Sequence, residues 1–224
     1  MGSLIWKIIF LPLRAFFYLL YHQFAWTYDW VADLVSAGLW ETWVLATLPY
    51  LKGPDLLELG HGPGHLQISL LKKTGKAAQM KRIIGLDSSP QMSRLASKRL
   101  RGEGLTPSLV NARAQCMPFN SGCFQQVVAT FPTNYIVDAD ALAEIWRLLT
   151  PGGEMLILPL AQITGRRWRE RACAWLFRFT KQTPEWDEAF LRPFKRAGFK
   201  SELEWVELKS STLLLIHARK PVDN

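Results

Sequence analysis

Asp55-Leu-Leu-Glu58-Leu-Gly60-His61-Gly62-Pro63-Gly64-His65, followed by Ile83-Ile-Gly-Leu-Asp87, decides the reading of this chain. An apolar run that carries an acid and opens onto alternating glycines predicts a strand entering a tight turn. At such a turn the backbone must come close to a ligand, and glycine leaves room for that approach. The stretch from Leu66 to Lys73 has helical spacing, so the turn delivers the ligand to a helix N-terminus. The second apolar run ends in Asp87, 23 residues after Gly64. A carboxylate at the tip of the second strand of a βαβ unit is placed to accept hydrogen bonds from a ribose diol. A glycine turn alone could be purely structural. With Asp87 in that position, the two stretches imply a nucleoside ligand.

Glycine spacing narrows the ligand. A dinucleotide turn reads G-x-G-x-x-G, and here His65 stands where its third glycine would fall. The E-x-G-x-G-x-G arrangement of Glu58, Gly60, Gly62 and Gly64 resembles motif I of the class I S-adenosylmethionine-dependent methyltransferases. A carboxylate there suits a ligand with a cationic ammonium and would repel a pyrophosphate. The resemblance implies a Rossmann-like α/β fold, a mostly parallel seven-stranded sheet with helices on both faces, and S-adenosyl-L-methionine as cofactor. It places Glu58, Gly60, Gly62, Gly64, Asp87 and Ser88 around that cofactor.

Further stretches extend the likeness. Ala112-Arg-Ala114-Gln115-Cys-Met-Pro118-Phe119 resembles the family's D-A-x-x-L-P-F segment, which implies that Ala114 and Gln115 line the adenine through backbone groups. Arg113 stands where that segment carries an acid. Phe124 to Thr130 resembles the fourth strand, with Thr130 at its cofactor end, although Gln125 and Gln126 occupy positions where the family often has Asp. Asp87-Ser88-Ser89-Pro90-Gln-Met92 is similar to D-x-S-x-x-M, which implies Met92 on the adenine face; the residues alone equally allow a core methionine on a helix starting near Pro90. Leu148-Leu-Thr-Pro151-Gly152-Gly153-Glu-Met-Leu-Ile-Leu reads as a helix end, a Pro-Gly-Gly turn and a buried fifth strand.

The chain has 224 residues, enough for one doubly wound domain with an appendage. Periodicity predicts strands at 55–59, 82–86, 107–111, 125–130 and 153–159, and helices at 64–73, 89–101 and 138–149. One or two basic helices are expected over 165–197. Strands at 200–207 and 211–218, separated by Lys209-Ser210, read as a closing antiparallel hairpin. The expected division is an amphipathic arm and lid over residues 1–50 and a cofactor-binding domain over 51–220.

Residues 3–31 are dense in large apolar and aromatic side chains, but Lys7, Pro12, Arg14 and His22 interrupt them. No run reaches the roughly 18 unbroken apolar residues of a spanning helix, and no small-residue cleavage pattern follows. An interfacial helix fits, with Trp6, Phe10, Phe16, Phe17 and Tyr18 inward and Lys7 and Arg14 snorkelling; a cap helix on the protein's own core is the alternative. The stretch 165–181 sets six cations against one acid, interleaved with Trp168, Trp175, Phe177 and Phe179. The formal net charge of +8 allows either anionic lipid or nucleic acid as partner. The aromatic arm favours a membrane surface over nucleic acid. The cations between Lys72 and Arg101 read as a solvated face. Cys116, Cys123 and Cys173 form no C-x-x-C pair and suit a reducing compartment, so the expected location is cytoplasmic and peripheral on the membrane. His61 and His65 have the i, i+4 spacing of a metal pair but no third ligand nearby, so no metal is expected.

Phe24-Ala-Trp-Thr-Tyr28-Asp29-Trp-Val-Ala-Asp33-Leu-Val-Ser36-Ala-Gly38-Leu-Trp40-Glu-Thr-Trp43 is similar to the opening segment Y-D-x-x-N-D-x-x-S-x-G-x-H-x-x-W of the ubiquinone/menaquinone biosynthesis C-methyltransferases. Ala32 replaces the Asn and Trp40 the His. Bacterial phospholipid N-methyltransferases open with comparable Tyr-Asp segments. The resemblance implies methyl transfer to a lipophilic, membrane-associated acceptor, either a quinone precursor or a phospholipid headgroup. Tyr28, Asp33 and His22 precede the first strand, and Asn134 and Tyr135 follow the fourth; these are the candidates to hold the acceptor. A membrane-docked cofactor-binding protein without turnover, and a methyltransferase of soluble small molecules or nucleic acid, remain as alternatives.

Overall fold

The computed structural model describes residues 36–73, 82–165 and 188–222. Strands β1 (Asp55–Leu59), β2 (Arg82–Asp87), β3 (Leu109–Asn111), β4 (Phe124–Thr130) and β5 (Leu149–Ile163) pair in parallel, and β6 (Lys200–Leu208) and β7 (Ser211–Arg219) close the sheet antiparallel. The order is β3-β2-β1-β4-β5-β7-β6. Successive strands run outward from β1 in both directions, so β1 and β4 flank the topological switch point. Ligands of open α/β sheets bind in the crevice beyond the carboxyl ends of such strands.

Among the described residues, five helices pack on this sheet: α1 (Trp40–Leu45), α2 (His65–Lys73), α3 (Pro90–Gly102), α4 (Ala139–Leu148) and α5 (Arg192–Arg196). Their ends are written in the sequence. Ser89 caps α3, its Oγ accepting from Met92 N at 3.3 Å, with Pro90 at the first position and Arg99 and Arg101 in the last turn. Asp138 caps α4 by accepting from Asp140 N and Ala141 N, both at 3.1 Å. The alternation of buried strands then feeds two cores. Leu57, Leu59, Val127, Ala129, Met155 and Ile157 pack with Leu142, Ile145 and Leu148 of α4 and Phe194 of α5. Leu56, Val128, Leu156 and Leu158 pack on the other face with Leu66 and Leu70 of α2 and Trp43 and Val44 of α1. Trp43 is fixed there by its Nε1–H, which donates to Ser211 Oγ of β7 at 2.8 Å.

Two sequence expectations need correction. Pro151-Gly152-Gly153 is not a turn ahead of the fifth strand but a bulge inside it: β5 starts at Leu149, and its register on β4 jumps between Phe124 and Gln126. Gly152 N donates to Lys220 O and Lys220 N to Gly153 O, so β7's end supplies the ladder that holds the bulge in the strand. The third strand is only three residues long, because β3 is the sheet edge and pairs with β2 alone. Of the basic stretch over 165–197, the described part forms a 3₁₀ turn (Glu188–Leu191) and α5. Residues 3–31, the acceptor candidates His22, Tyr28 and Asp33, and all of 165–181 except Gly165 lie outside the described residues. Among the described residues no helix is long and apolar enough to cross a membrane.

The closing hairpin carries a titratable bridge. His217 of β7 places Nδ1 2.9 Å from Glu154 Oε1 and Nε2 3.0 Å from Glu204 Oε2, and Tyr50 Oη donates to Glu204 Oε1 at 2.6 Å. The hydrogen bond to Glu204 pushes the Tyr50 phenol up to about 12. The hydrogen bond to Glu154, opposed by burial, raises the His217 pKa, while His217 and Arg219 overcome burial to lower that of Glu154. The imidazolium therefore stabilises the fold at pH values below its raised pKa and loses that contribution as the pH climbs through it. Glu154 contributes above the ordinary carboxylate range. We expect His217→Asn to lower Tm by roughly 2–4 °C at pH 6, the worth of about 1 kcal/mol in a chain of this size, with the gap narrowing by pH 9. Thermal unfolding of both proteins across that range checks it; a gap that widens with pH would contradict the bridge.

Candidate functional site

The crevice at the end of β1 is shaped by backbone. Gly60, Gly62 and Gly64 all take positive φ, at 70°, 49° and 85°. Gly60 N donates to Leu86 O at 2.7 Å, stitching the turn to β2, and Gly64 N donates to His61 O at 2.9 Å. Asp87, at the tip of β2, accepts from Gly62 N through Oδ2 at 2.9 Å and from Ser89 N through Oδ1 at 2.8 Å. One carboxylate thus fixes both the glycine turn and the start of α3, and two backbone donors hold its charge where water is nearly excluded. A Cβ at Gly62 would meet nothing nearer than Gly60 O at 4.0 Å, whereas one at Gly60 would sit 2.9 Å from Tyr135 Oη. Gly62 is therefore the glycine whose vacant side is open space.

Beneath the turn lies a buried polar cluster. Glu58 pairs with Gly85 across β1 and β2 and is 2% exposed. Burial pushes its pKa up to about 8; Gln67 of α2 pulls it back in part and Asp87 raises it further. Neither Glu58 Oε2 nor Gln67 Nε2 completes a hydrogen bond. Gly85 makes room for this cluster, since a Cβ there would overlap Gln67 Nε2 and come within 3.0 Å of His61 Cδ2. His61 keeps Nδ1 2.7 Å from Gly62 O and Nε2 3.4 Å from Ser93 Oγ, and burial lowers its pKa against the pull of Asp87.

The remaining sequence-predicted residues lie at or beyond the ends of β2, β3 and β4 and in α3. Ser88 is exposed at the tip of β2. Met92 has no exposed surface and belongs to the packing of α3. Ala114 is buried and Gln115 half-buried in the tight turn that the Arg113–Cys116 bridge closes beyond β3. Thr130 ends β4, in register with Leu158. Asn134 is exposed, and Tyr135 lies half-buried over the turn with its hydroxyl donating to Leu59 O at 3.2 Å. Among the described residues no group of three His, Cys, Asp or Glu could hold a metal.

Sequence reasoning missed three contributors. Gln67 and Gly85 complete the polar cluster: the register of β1 on β2 sets Gly85 beside Glu58, and the packing of α2 brings Gln67. Phe131 is the third: it takes φ 49°, costly for an aromatic residue, directly after β4, and its ring stacks on Trp40 with centroids 4.4 Å apart. Nothing in the local sequence announces a left-handed Phe.

Comparison with known proteins agrees with this geometry. The model of the family described as "Methyltransferase domain" matches residues 56–153. The chain is similar to the ubiquinone/menaquinone biosynthesis C-methyltransferase UbiE of Blochmanniella floridana, 32% identical over 152 residues, which cover 65% of this chain and 59% of that one. It thus spans less than two thirds of the length of this curated relative. Its fold is similar to that of phosphoethanolamine N-methyltransferase 2 of Haemonchus contortus, solved with phosphomonomethylethanolamine and S-adenosylhomocysteine: TM-score 0.55 and 18% identity over 82% of this chain and 53% of that one. It is likewise similar to the [4+2]-cyclase SpnF, with TM-score 0.58 and 17% identity over 82% of each chain. Residues 56–153 thus carry a methyltransferase domain, and the sheet built around them has the Rossmann-like fold of the class I S-adenosylmethionine-dependent methyltransferases.

Proposed function

We propose that the protein transfers a methyl group to a lipophilic acceptor at a membrane surface, with a ring carbon of a quinone precursor favoured over a phospholipid amine. The observation that carries the cofactor half is the open side of Gly62 beside the Asp87 carboxylate, space into which a larger side chain at that position would project. Glu58, with an unpartnered buried oxygen under the turn, suits the ammonium end of the cofactor, and Asp87 and Ser88 suit its ribose. We assign Ala114 and Gln115 to the adenine and Thr130 to the rim, with Met92 behind them in the packing of α3.

The sulfonium of S-adenosylmethionine supplies an already electrophilic methyl group. The chain's own residues then have to hold the acceptor in line with it and exclude water. Asn134 and Tyr135, just after β4, are the candidates among the described residues, and His22, Tyr28 and Asp33 remain the candidates from the segment ahead of the sheet. The acceptor class is supported by the likeness to the UbiE protein and by the Tyr28-to-Trp43 segment. The membrane surface is supported by the aromatic and basic make-up of residues 3–31 and 165–181.

Calorimetric titration with S-adenosylhomocysteine, with NADH in parallel, tests the cofactor half. We expect micromolar binding of the homocysteine compound alone. Binding of NADH instead, or of neither, would overturn it. Labelled S-adenosylmethionine with membrane-lipid extracts then tests the acceptor: label in a quinone-type lipid supports the proposal, and label confined to soluble small molecules or RNA refutes it.

A further inference from the structure

The cations of the cofactor half are not uniformly solvated. Lys72, Arg82, Arg147 and Arg219 are paired with Glu103, Asp55, Glu144 and Glu154. Helix α3 holds four cations and no acid, and it divides them between two flanks. Arg99 is half-buried and turns toward His65 of α2, with NH1 3.5 Å from Nε2. Arg94, Lys98 and Arg101, at i, i+4 and i+7, are exposed on the opposite flank. With Ser93, Ser97, Leu109 and Asn111 they line an open groove of about 540 Å³ between α3 and the edge strand β3. No acid lines this groove, and none of its three cations has an ion-pair partner among the described residues.

We propose that this groove between α3 and β3 is a docking site for the phosphate headgroups of anionic phospholipid. Three guanidinium or ammonium groups and the Ser97 hydroxyl in one open depression match a phosphodiester, which offers only acceptor oxygens. The same donors could hold a nucleic-acid phosphate, but single strands are gripped by stacking bases on aromatic rings, and no ring lines the groove. The chain's aromatic stretches lie elsewhere, at 3–31 and 165–181, where they suit insertion into lipid. In this arrangement the apolar stretches give affinity for any bilayer, and the groove gives preference for a negatively charged one. The proposal shares the membrane setting of the proposed function but does not depend on the acceptor.

Flotation of the full-length protein with phosphatidylcholine vesicles, with and without phosphatidylglycerol, tests it. Wild type is expected to prefer the anionic vesicles, and R94Q/K98Q/R101Q to lose that preference between tenfold and about a hundredfold, at roughly 1 kcal/mol or fivefold per cation. Binding to neutral vesicles should be unchanged. The triple K52Q/R192Q/K209Q removes the same charge from exposed positions away from α3 and should keep the preference within about threefold. Equal loss in both triples would mean bulk charge and refute the groove. So would an unaltered preference in the α3 triple, or a wild type indifferent to phosphatidylglycerol. Loss of oligonucleotide binding with vesicle binding intact would assign the groove to nucleic acid instead. S-adenosylhomocysteine affinity, expected to be the same in all three proteins, reports separately on the cofactor site.

Discussion

Gly62→Arg is expected to abolish S-adenosylhomocysteine binding, by at least a thousandfold, and to leave a folded protein. The backbone at Gly62 has φ 49°, so any L-residue there pays about 1–2 kcal/mol for the left-handed conformation. At about 2–4 °C per kcal/mol, Tm should fall by roughly 2–8 °C. The side chain itself meets no wall, because the nearest atom to a Cβ is Gly60 O at 4.0 Å. It extends into the proposed cofactor cradle, where a guanidinium would also pair with the Asp87 carboxylate assigned to the ribose. Gly85→Val makes the contrast. Its Cβ overlaps Gln67 and lies 2.9 Å from Leu109 Cδ2, so it should lose binding through loss of fold, visible as a collapsed Tm. Calorimetry and thermal unfolding on both variants separate the two causes. S-adenosylhomocysteine binding to Gly62→Arg within tenfold of wild type would show that the ligand does not use this turn.

The fold was legible from the first glycines because its signals are local. The β1 turn needs three positive-φ positions in five residues, and only Gly-x-Gly-x-Gly fills them cheaply. The capped start of α3 at Ser89-Pro90 and the two-residue turn at Lys209-Ser210 are equally local. What escaped was set by partners distant in sequence. Pro151-Gly152-Gly153 reads as a turn on its own letters, and becomes a strand bulge only because Lys220 pairs with it from β7. Glu58 was recognisable as a motif acid, but its buried setting depends on Gly85, set beside it by the β1–β2 register, and on Gln67, brought by the packing of α2. The cations of α3 looked evenly solvated because helical periodicity does not reveal that β3 is an edge, leaving one flank of the helix facing a groove.

If Glu58 holds the cofactor's ammonium as proposed, its burial is expected to make cofactor affinity a function of pH. Its carboxyl faces Gln67 of α2, Gly85 and Asp87 of β2, and His61 of the turn, and its Oε2 has no partner. Burial holds its pKa near 8, so at pH 7 it is mostly protonated, while in the unfolded chain it is ionised. The sign follows: the folded state binds the extra proton between about pH 4.5 and 8, so stability falls as the pH rises through that window. A ligand ammonium reverses the preference. An opposite charge close to the carboxylate favours its ionised form, so binding S-adenosylhomocysteine at pH 7 should release close to one proton. Affinity should then rise by nearly tenfold per unit from pH 6 toward pH 8, where it levels off. Calorimetry in two buffers of different ionisation enthalpy counts the proton directly. Glu58→Gln should bind without proton release, show no such rise, and lose the part of the stability slope that His217→Asn retains. Methylthioadenosine, which lacks the ammonium, should bind wild type independently of pH over the same range. A wild-type affinity flat from pH 6 to 8 would mean that the ammonium is held elsewhere and that Glu58 serves the turn alone.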